Sequence, residues 1–253
     1  MFPELVSFGP LSLKTYGLFV GIGFLAGYEI LRRALSEAGQ KPVHAERLLW
    51  ICLVFGVLGS RILYFLTNPS DWRDFWRLWE GGLSFTGGLI MAGIGVFVYV
   101  FRRKLPVFSV TDAFAQAMPA SHALGRIGCL MAGCCWGYPT DFFLGATFTN
   151  PACSLPAELL GVRLHPTQLY EAAGLGLIFV ACRAMRKKIP GKLLGFYFLL
   201  YGVLRFGLEF LRADAALEPT VLGLTFAQSL VVFVLWPAGL LWLKFAAVRR
   251  RMI

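Results

Sequence analysis

RLLWICLVFGVLGSRILYFL, residues 47–66, is a run of twenty residues whose cations are Arg47 at its first position and Arg61 within it. About 20 mainly apolar residues are what an α-helix needs to cross roughly 30 Å of hydrocarbon. Six further runs have the same character, at about 12–31, 84–101, 108–132, 167–185, 193–211 and 222–243. Polar and glycine residues interrupt the run at 108–132, and Glu171 enters the one at 167–185. Of the 253 residues, 57% are hydrophobic and 15% charged, against about 25% charged in a soluble domain. The chain therefore reads as an all-α integral membrane protein with seven transmembrane helices. No internal repeat, low-complexity tract or flexible linker divides it, so residues 1–253 form a single transmembrane domain.

The net charge of +10 would fit nucleic acid if it were clustered, but it is segregated by side. One set of connections holds Arg32, Arg33, Lys41, Arg47, Arg102, Arg103, Lys104, Arg183, Arg186, Lys187, Lys188, Lys192, Lys244, Arg249, Arg250 and Arg251, sixteen cations in all. The other side holds four: Arg73, Arg77, Arg163 and Arg212. The positive-inside rule then places the N-terminus outside and the C-terminus in the cytoplasm. The charge is topological, which argues against nucleic acid as a partner and for contact with membrane lipids. Residues 1–11 lack a charged region followed by a small-residue cleavage site, so the first span is expected to be retained. Two longer segments lie outside. Residues 67–83, rich in tryptophan and charge, suit an interfacial helix. Residues 134–166, broken by Gly, Pro and Asn, suit a small extracytoplasmic cap. Pro166 is expected at the first position of the fifth helix.

Four cations fall in or at the ends of spans: Lys14, Arg61, Arg126 and Arg205. An arginine at the bilayer centre costs about 2.5–3.5 kcal/mol on insertion scales, so each needs a partner, a ligand or water. Lys14 can snorkel to the interface. Arg205 has Glu209 four residues on, which predicts an ion pair on one helix face; Arg61 reads similarly, as an internal contact between helices. The other carboxylates within reach are Glu80, Asp112 and Glu171. Arg126 sits between Gly125 and Gly128, where missing side chains let a backbone or a headgroup approach. Arg212 follows the sixth span on the same, outer side. A guanidinium forks onto phosphate oxygens and keeps its charge, so the pair points to an anionic phospholipid headgroup near the outer leaflet. His122, one turn before Arg126, is the natural general-base candidate. Glycine pairs flank LSFT in EGGLSFTGG, residues 80–88; Gly87 and Gly88 offer either backbone open to a ligand or helix packing.

Cys129, Cys134, Cys135 and Cys153 cluster near the outside. A disulfide from Cys153 to Cys134 or Cys135 is reasonable in an oxidising compartment. No pair has CxxC spacing and only three histidines are present, so neither metal nor cofactor is expected. His165 precedes Pro166 and suits a helix cap.

KTYGLFVGIGF (14–24), GSRILYFL (59–66), WEGGLSFTGGLIMAG (79–93), GRIGCLMAGCCWG (125–137), HPTQLYEA (165–172) and YGVLRFGLEFLRAD (201–214) occur in this order. Together they resemble the prolipoprotein diacylglyceryl transferase family. The resemblance implies a seven-span enzyme of the bacterial inner membrane. Such enzymes move the diacylglyceryl group of phosphatidylglycerol to the thiol of the lipobox cysteine of a prolipoprotein, and glycerol phosphate leaves. It implies that Arg126 and Arg212 hold the phosphate or stabilise its developing charge. Tyr16, Arg61, Glu80 and Gly137 also fall on motif positions of the family. The departures are specific. The histidine often assigned as the family's base is Thr86 here, and threonine has no useful pKa for that task. The asparagine after GRxG is Cys129, and the second asparagine and the glutamate of that block are Ala132 and Cys134. Three accounts stay open: His122 supplies the base, the thiol ionises beside two arginines unaided, or the acceptor or the reaction differs. A non-catalytic phospholipid-binding protein is a further alternative.

Overall fold

The computed structural model describes residues 1–8, 11–68, 72–77, 81–214, 220 and 222–251. Two of its parts are separately compact: residues 1–30 with 111–253, and residues 31–110. Six long helices are α1 (Thr15–Glu37), α2 (Pro42–Thr67), α3 (Phe85–Arg102), α4 (Val107–Ala132), α5 (Thr167–Met185) and α6 (Leu193–Glu209). A seventh helical stretch runs through α7 (Phe226–Leu230), a π-helical turn (Val231–Leu235) and α8 (Trp236–Arg251). Pro237 has no N–H to return to the preceding turn, a recognised cause of such a local change in helical register.

These stretches overlie the seven apolar runs. Among the described residues, three are long and apolar enough to cross a membrane by length and composition: Pro42–Thr67, Phe85–Arg102 and Phe226–Val248. The others carry what a bilayer penalises. α4 holds Asp112, Gln116, His122 and Arg126, α5 holds Glu171, and α6 is 17 residues long. Beside an apolar core, polar side chains are buried and large apolar ones lie on the surface. Arg61, Asp112, Gln116, Gln168, Glu171, Glu209 and Gln228 are buried, whereas Leu25, Leu66, Phe97, Leu177, Val180 and Phe245 are exposed. Helices in lipid follow this pattern, because an apolar solvent leaves polar side chains only one another as partners.

In the unit of residues 31–110, α2 starts with Pro42, whose missing N–H costs nothing there. Ser84 caps α3, accepting from the Gly87 N–H at 3.4 Å. α2 and α3 meet backbone to backbone. A Cβ on Gly87 would lie 2.3 Å from the Gly59 carbonyl oxygen, and one on Gly88 2.4 Å from Ser60 Oγ. Gly87 and Gly88 thus serve helix packing and are closed off by α2, not left open to a ligand. The expected interfacial helix at 67–83 is, in its described part, a single 3₁₀ turn, Trp72–Trp76.

In the other unit, an antiparallel pair β1 (Glu4–Phe8) and β2 (Leu11–Lys14) leads into α1. The Thr15 hydroxyl donates to the Phe2 carbonyl. Gly23 and Gly27 bring α1 onto α4: Cβ atoms there would lie 2.9 Å from the Ser121 carbonyl oxygen and 2.1 Å from Ser121 Oγ. Asp112 accepts from the N–H groups of Gly191 and Leu193, so it caps the start of α6. Residues 133–166 hold two short strands, β3 (Ala146–Thr147) and β4 (Arg163–Leu164), paired antiparallel. They close over Leu130, Trp136, Phe148, Cys153 and Leu164. Pro166 is the N-cap residue of α5 and Thr167 its first helical residue, one position later than expected.

Candidate functional site

The site begins on one face of α4, where a spacing of three to four residues aligns His122, Arg126 and Cys129. Glu171 of α5 meets that face. Its Oε2 lies 2.9 Å from Arg126 Nε, an ion pair not aligned as a hydrogen bond. Its Oε1 lies 3.7 Å from His122 Nε2 and accepts the Tyr201 hydroxyl of α6 at 3.0 Å. The His122 and Tyr201 rings meet edge to face, centroids 5.3 Å apart. A buried carboxylate is costly unless paired; Arg126 is what makes Glu171 tolerable inside an apolar helix. Arg205 is committed elsewhere. It pairs with Glu209, as the four-residue spacing predicts, and Glu209 Oε1 also accepts the Thr225 hydroxyl at 2.7 Å.

The C-terminus of α4 sets the rest. Gly133 lies at φ +74°, its N–H reaches the Leu130 carbonyl at 3.3 Å, and the Cys134 N–H reaches the Cys129 carbonyl at 3.2 Å. This is a Schellman closure, which brings side chains five positions apart together across the helix end. Cys129 and Cys134 hold those positions. Cys135 follows at φ +61°, and α5 fixes the loop: Thr167 Oγ1 and Gln168 Nε2 donate to the carbonyls of Cys135 and Cys134, each at 2.5 Å. As a result the three sulfurs lie within 4.8 Å of one another. Arg126 Nη1 lies 3.5 Å from Cys135 Sγ.

Arg212 is carried to the same loop by backbone pairing. Gly137 bridges Arg212, the Tyr138 N–H donates to the Leu211 carbonyl at 3.0 Å, and the Ala213 N–H to the Trp136 carbonyl at 3.2 Å. Its guanidinium forks onto Asp214, Nε to Oδ1 at 3.0 Å and Nη2 to Oδ2 at 2.6 Å. The Cys135 thiol is held below its ordinary range, first by hydrogen bonds from Cys129 and Cys134, then by the charges of Arg212 and Arg126. Arg126 thus reaches Cys135 directly, and Arg212 is bridged to Gly137, two residues further along the same loop. Each is steadied on one edge by a carboxylate. Among the described residues, Arg126 Nη2 and Arg212 Nη1 make no hydrogen bond, and such edges suit an oxyanion.

The glycines divide. Gly125 borders open space, the one place beside Arg126 where the backbone leaves room. Gly128 admits α1 instead, its would-be Cβ lying 3.3 Å from the Tyr16 ring, and this sets Tyr16 beside Cys129, Cys134 and Arg126. Gly137 is closed in by Leu211 and His165. His165 Nδ1 lies 3.3 Å from the Tyr170 hydroxyl. In the unit of residues 31–110, Thr86 is exposed in the first turn of α3. Arg61 differs from expectation. Its five N–H groups go to five backbone carbonyls, those of Phe75, Gly81, Gly82, Asp74 and Arg77, at 2.6 to 3.0 Å. It organises the segment after α2 and has no donor left for a phosphate. Glu80 lies outside the described residues. All six cysteines are free thiols, so the expected link from Cys153 to Cys134 or Cys135 is not formed.

Reading the sequence leaves Tyr201, Asp214 and the three-sulfur cluster unassigned and Glu171 without a partner. Glu171 carries the clearest signal, a lone carboxylate in an apolar run.

A family model described as prolipoprotein diacylglyceryl transferase matches residues 3–243. The chain is similar to proteins named phosphatidylglycerol–prolipoprotein diacylglyceryl transferase in several bacteria. The Solidesulfovibrio magneticus protein is 35% identical over 256 residues, covering 92% of each chain. The Bordetella parapertussis protein is 32% identical, covering 94% of this chain and 93% of its own. The Clostridium tetani protein is 29% identical, covering 85% and 86%.

Proposed function

The chain belongs to the prolipoprotein diacylglyceryl transferase family, and from that premise we propose that it transfers the diacylglyceryl group of phosphatidylglycerol to the lipobox cysteine of a prolipoprotein. In that reaction the thiol sulfur attacks the terminal glyceryl carbon, the C–O bond to phosphate breaks, and glycerol phosphate leaves. The thiol proton ends on the departing phosphate. The observation that carries this reading is that Arg126 and Arg212 meet one loop, at Cys135 and Gly137, and that among the described residues Arg126 Nη2 and Arg212 Nη1 make no hydrogen bond. Two fixed cations there stabilise charge as it gathers on the leaving phosphate, and their carboxylate anchors remove the need to reorganise. His122, held against Glu171 and Tyr201, takes the thiol proton in place of the histidine that Thr86 replaces. Tyr16 and the open side of Gly125 border the lipid, and Gly128, Cys129 and Gly137 shape the floor beneath it.

The chain works in this reading as one multi-pass domain of the bacterial inner membrane. It has seven spans, its N-terminus outside, its C-terminus in the cytoplasm, and extracytoplasmic segments at about 67–83 and 134–166. Complementation of a bacterial strain depleted of its own transferase tests the reading. Growth and diacylglyceryl-modified lipoproteins are expected; neither appearing would overturn it. His122→Ala should lower kcat about 100-fold, the lower end of what a general base supplies. A neutral His122→Ala would remove that residue from the mechanism.

A further inference from the structure

Cys129, Cys134 and Cys135 form the one group of three or more potential metal ligands among the described residues. We propose that they bind a thiophilic divalent cation, zinc by preference, whose fourth position takes the acceptor thiol; this last part rests on the transferase reading above. Spacing alone argued against a metal, but the Schellman closure does for Cys129 and Cys134 what a CxxC turn does elsewhere. Tetrahedral zinc with Zn–S near 2.3 Å holds its sulfurs about 3.8 Å apart, so separations of at most 4.8 Å need contract by only about 1 Å. The three sulfurs carry no disulfide. The backbone of Cys135 and Cys134 is pinned by Thr167 and Gln168, and Cys129 is held in α4. Cys129 is buried, while Cys134 and Cys135 are partly open, which leaves one side free for a ligand.

The charges agree. Three thiolates around a divalent ion make a net anion, and Arg126 and Arg212 stand beside it. Three protein ligands with an open fourth position are the pattern of catalytic rather than structural zinc. A thiol that enters this position is deprotonated by the ion itself. The thiolate then exists at neutral pH, its proton passing by way of His122 to the departing phosphate. Sulfur bonds to the glyceryl carbon as the C–O bond breaks, with no change of oxidation state.

The test uses the full-length protein in detergent, stripped with a chelator and titrated with Co²⁺ alone. One equivalent should bind, giving a thiolate-to-cobalt charge-transfer band and the visible bands of a tetrahedral site. Cys129→Ser, Cys134→Ser and Cys135→Ser should each diminish the charge-transfer band, and Cys52→Ser should leave it. A lipobox peptide should shift the band, and the same peptide with serine for cysteine should not. Chelation should lower diacylglyceryl transfer about 100-fold, the scale of losing a base, and Zn²⁺ should restore it. No charge-transfer band, a band indifferent to all three substitutions, or a disulfide among these cysteines in the isolated protein overturns the site. Full transfer by metal-free protein overturns its role and leaves the transferase reading intact. A cobalt site in a protein that transfers nothing from phosphatidylglycerol overturns the transferase reading instead.

Discussion

Glu171 and Arg126 show how single residues decide this protein. Neither is affordable alone in an apolar helix, and each explains the other at 2.9 Å. The arginine was legible because a cation between glycines has few bland explanations. Its partner was not, because sequence cannot say which of several carboxylates faces it; only the packing of α5 on α4 does. Glu171→Gln keeps the shape but leaves a buried arginine unpaired, a change worth about 3–5 kcal/mol when a buried pair is broken. A lower thermal midpoint and a lower kcat are expected together; an unchanged midpoint would mean that the pair is not structural. Arg126→Lys keeps the charge and loses the fork. By the measure of removing one preorganised donor, kcat should fall about 10²–10³-fold, read in the transfer assay with binding of phosphatidylglycerol vesicles retained.

At the scale of elements, helix positions were readable from apolar runs and helix ends were not. The Schellman closure after α4 needs Gly133 at φ +74°, and glycines abound in this sequence without marking which one ends a helix. The same ambiguity hid Gly87 and Gly88, whose role is fixed by the carbonyl of Gly59 and the side chain of Ser60 on α2. Arg61 is the clearest case. Its partners are five backbone carbonyls, which every sequence offers everywhere, so no pattern could have named them. Hydrogen bonds to a charged group are worth about 1.5–3 kcal/mol each. Arg61→Leu should therefore release residues 74–77 and 81–82, seen as faster proteolytic cleavage there than in the parent protein. Equal cleavage rates would contradict this role.

For the whole molecule, the apolar runs were visible from composition and spacing, and together with the exposed large apolar side chains they describe a protein made for lipid. The proposed orientation rests on sixteen cations in one set of predicted connections against four in the other. A fluorescent reporter that matures only in the cytoplasm, fused after Ile253, should be bright, and one fused before Met1 dark; the reverse pattern would invert the topology. What composition could not supply was the meeting of α4, α5 and the Arg212 segment, where the chemistry is assigned. The central claim is tested most directly with purified protein, labelled phosphatidylglycerol and a lipobox peptide, with the products read by mass spectrometry. The account predicts a peptide carrying diacylglyceryl in thioether linkage on its cysteine and an equal amount of glycerol phosphate. An unmodified peptide with phosphatidylglycerol intact, or the lipid group on another acceptor, would contradict it.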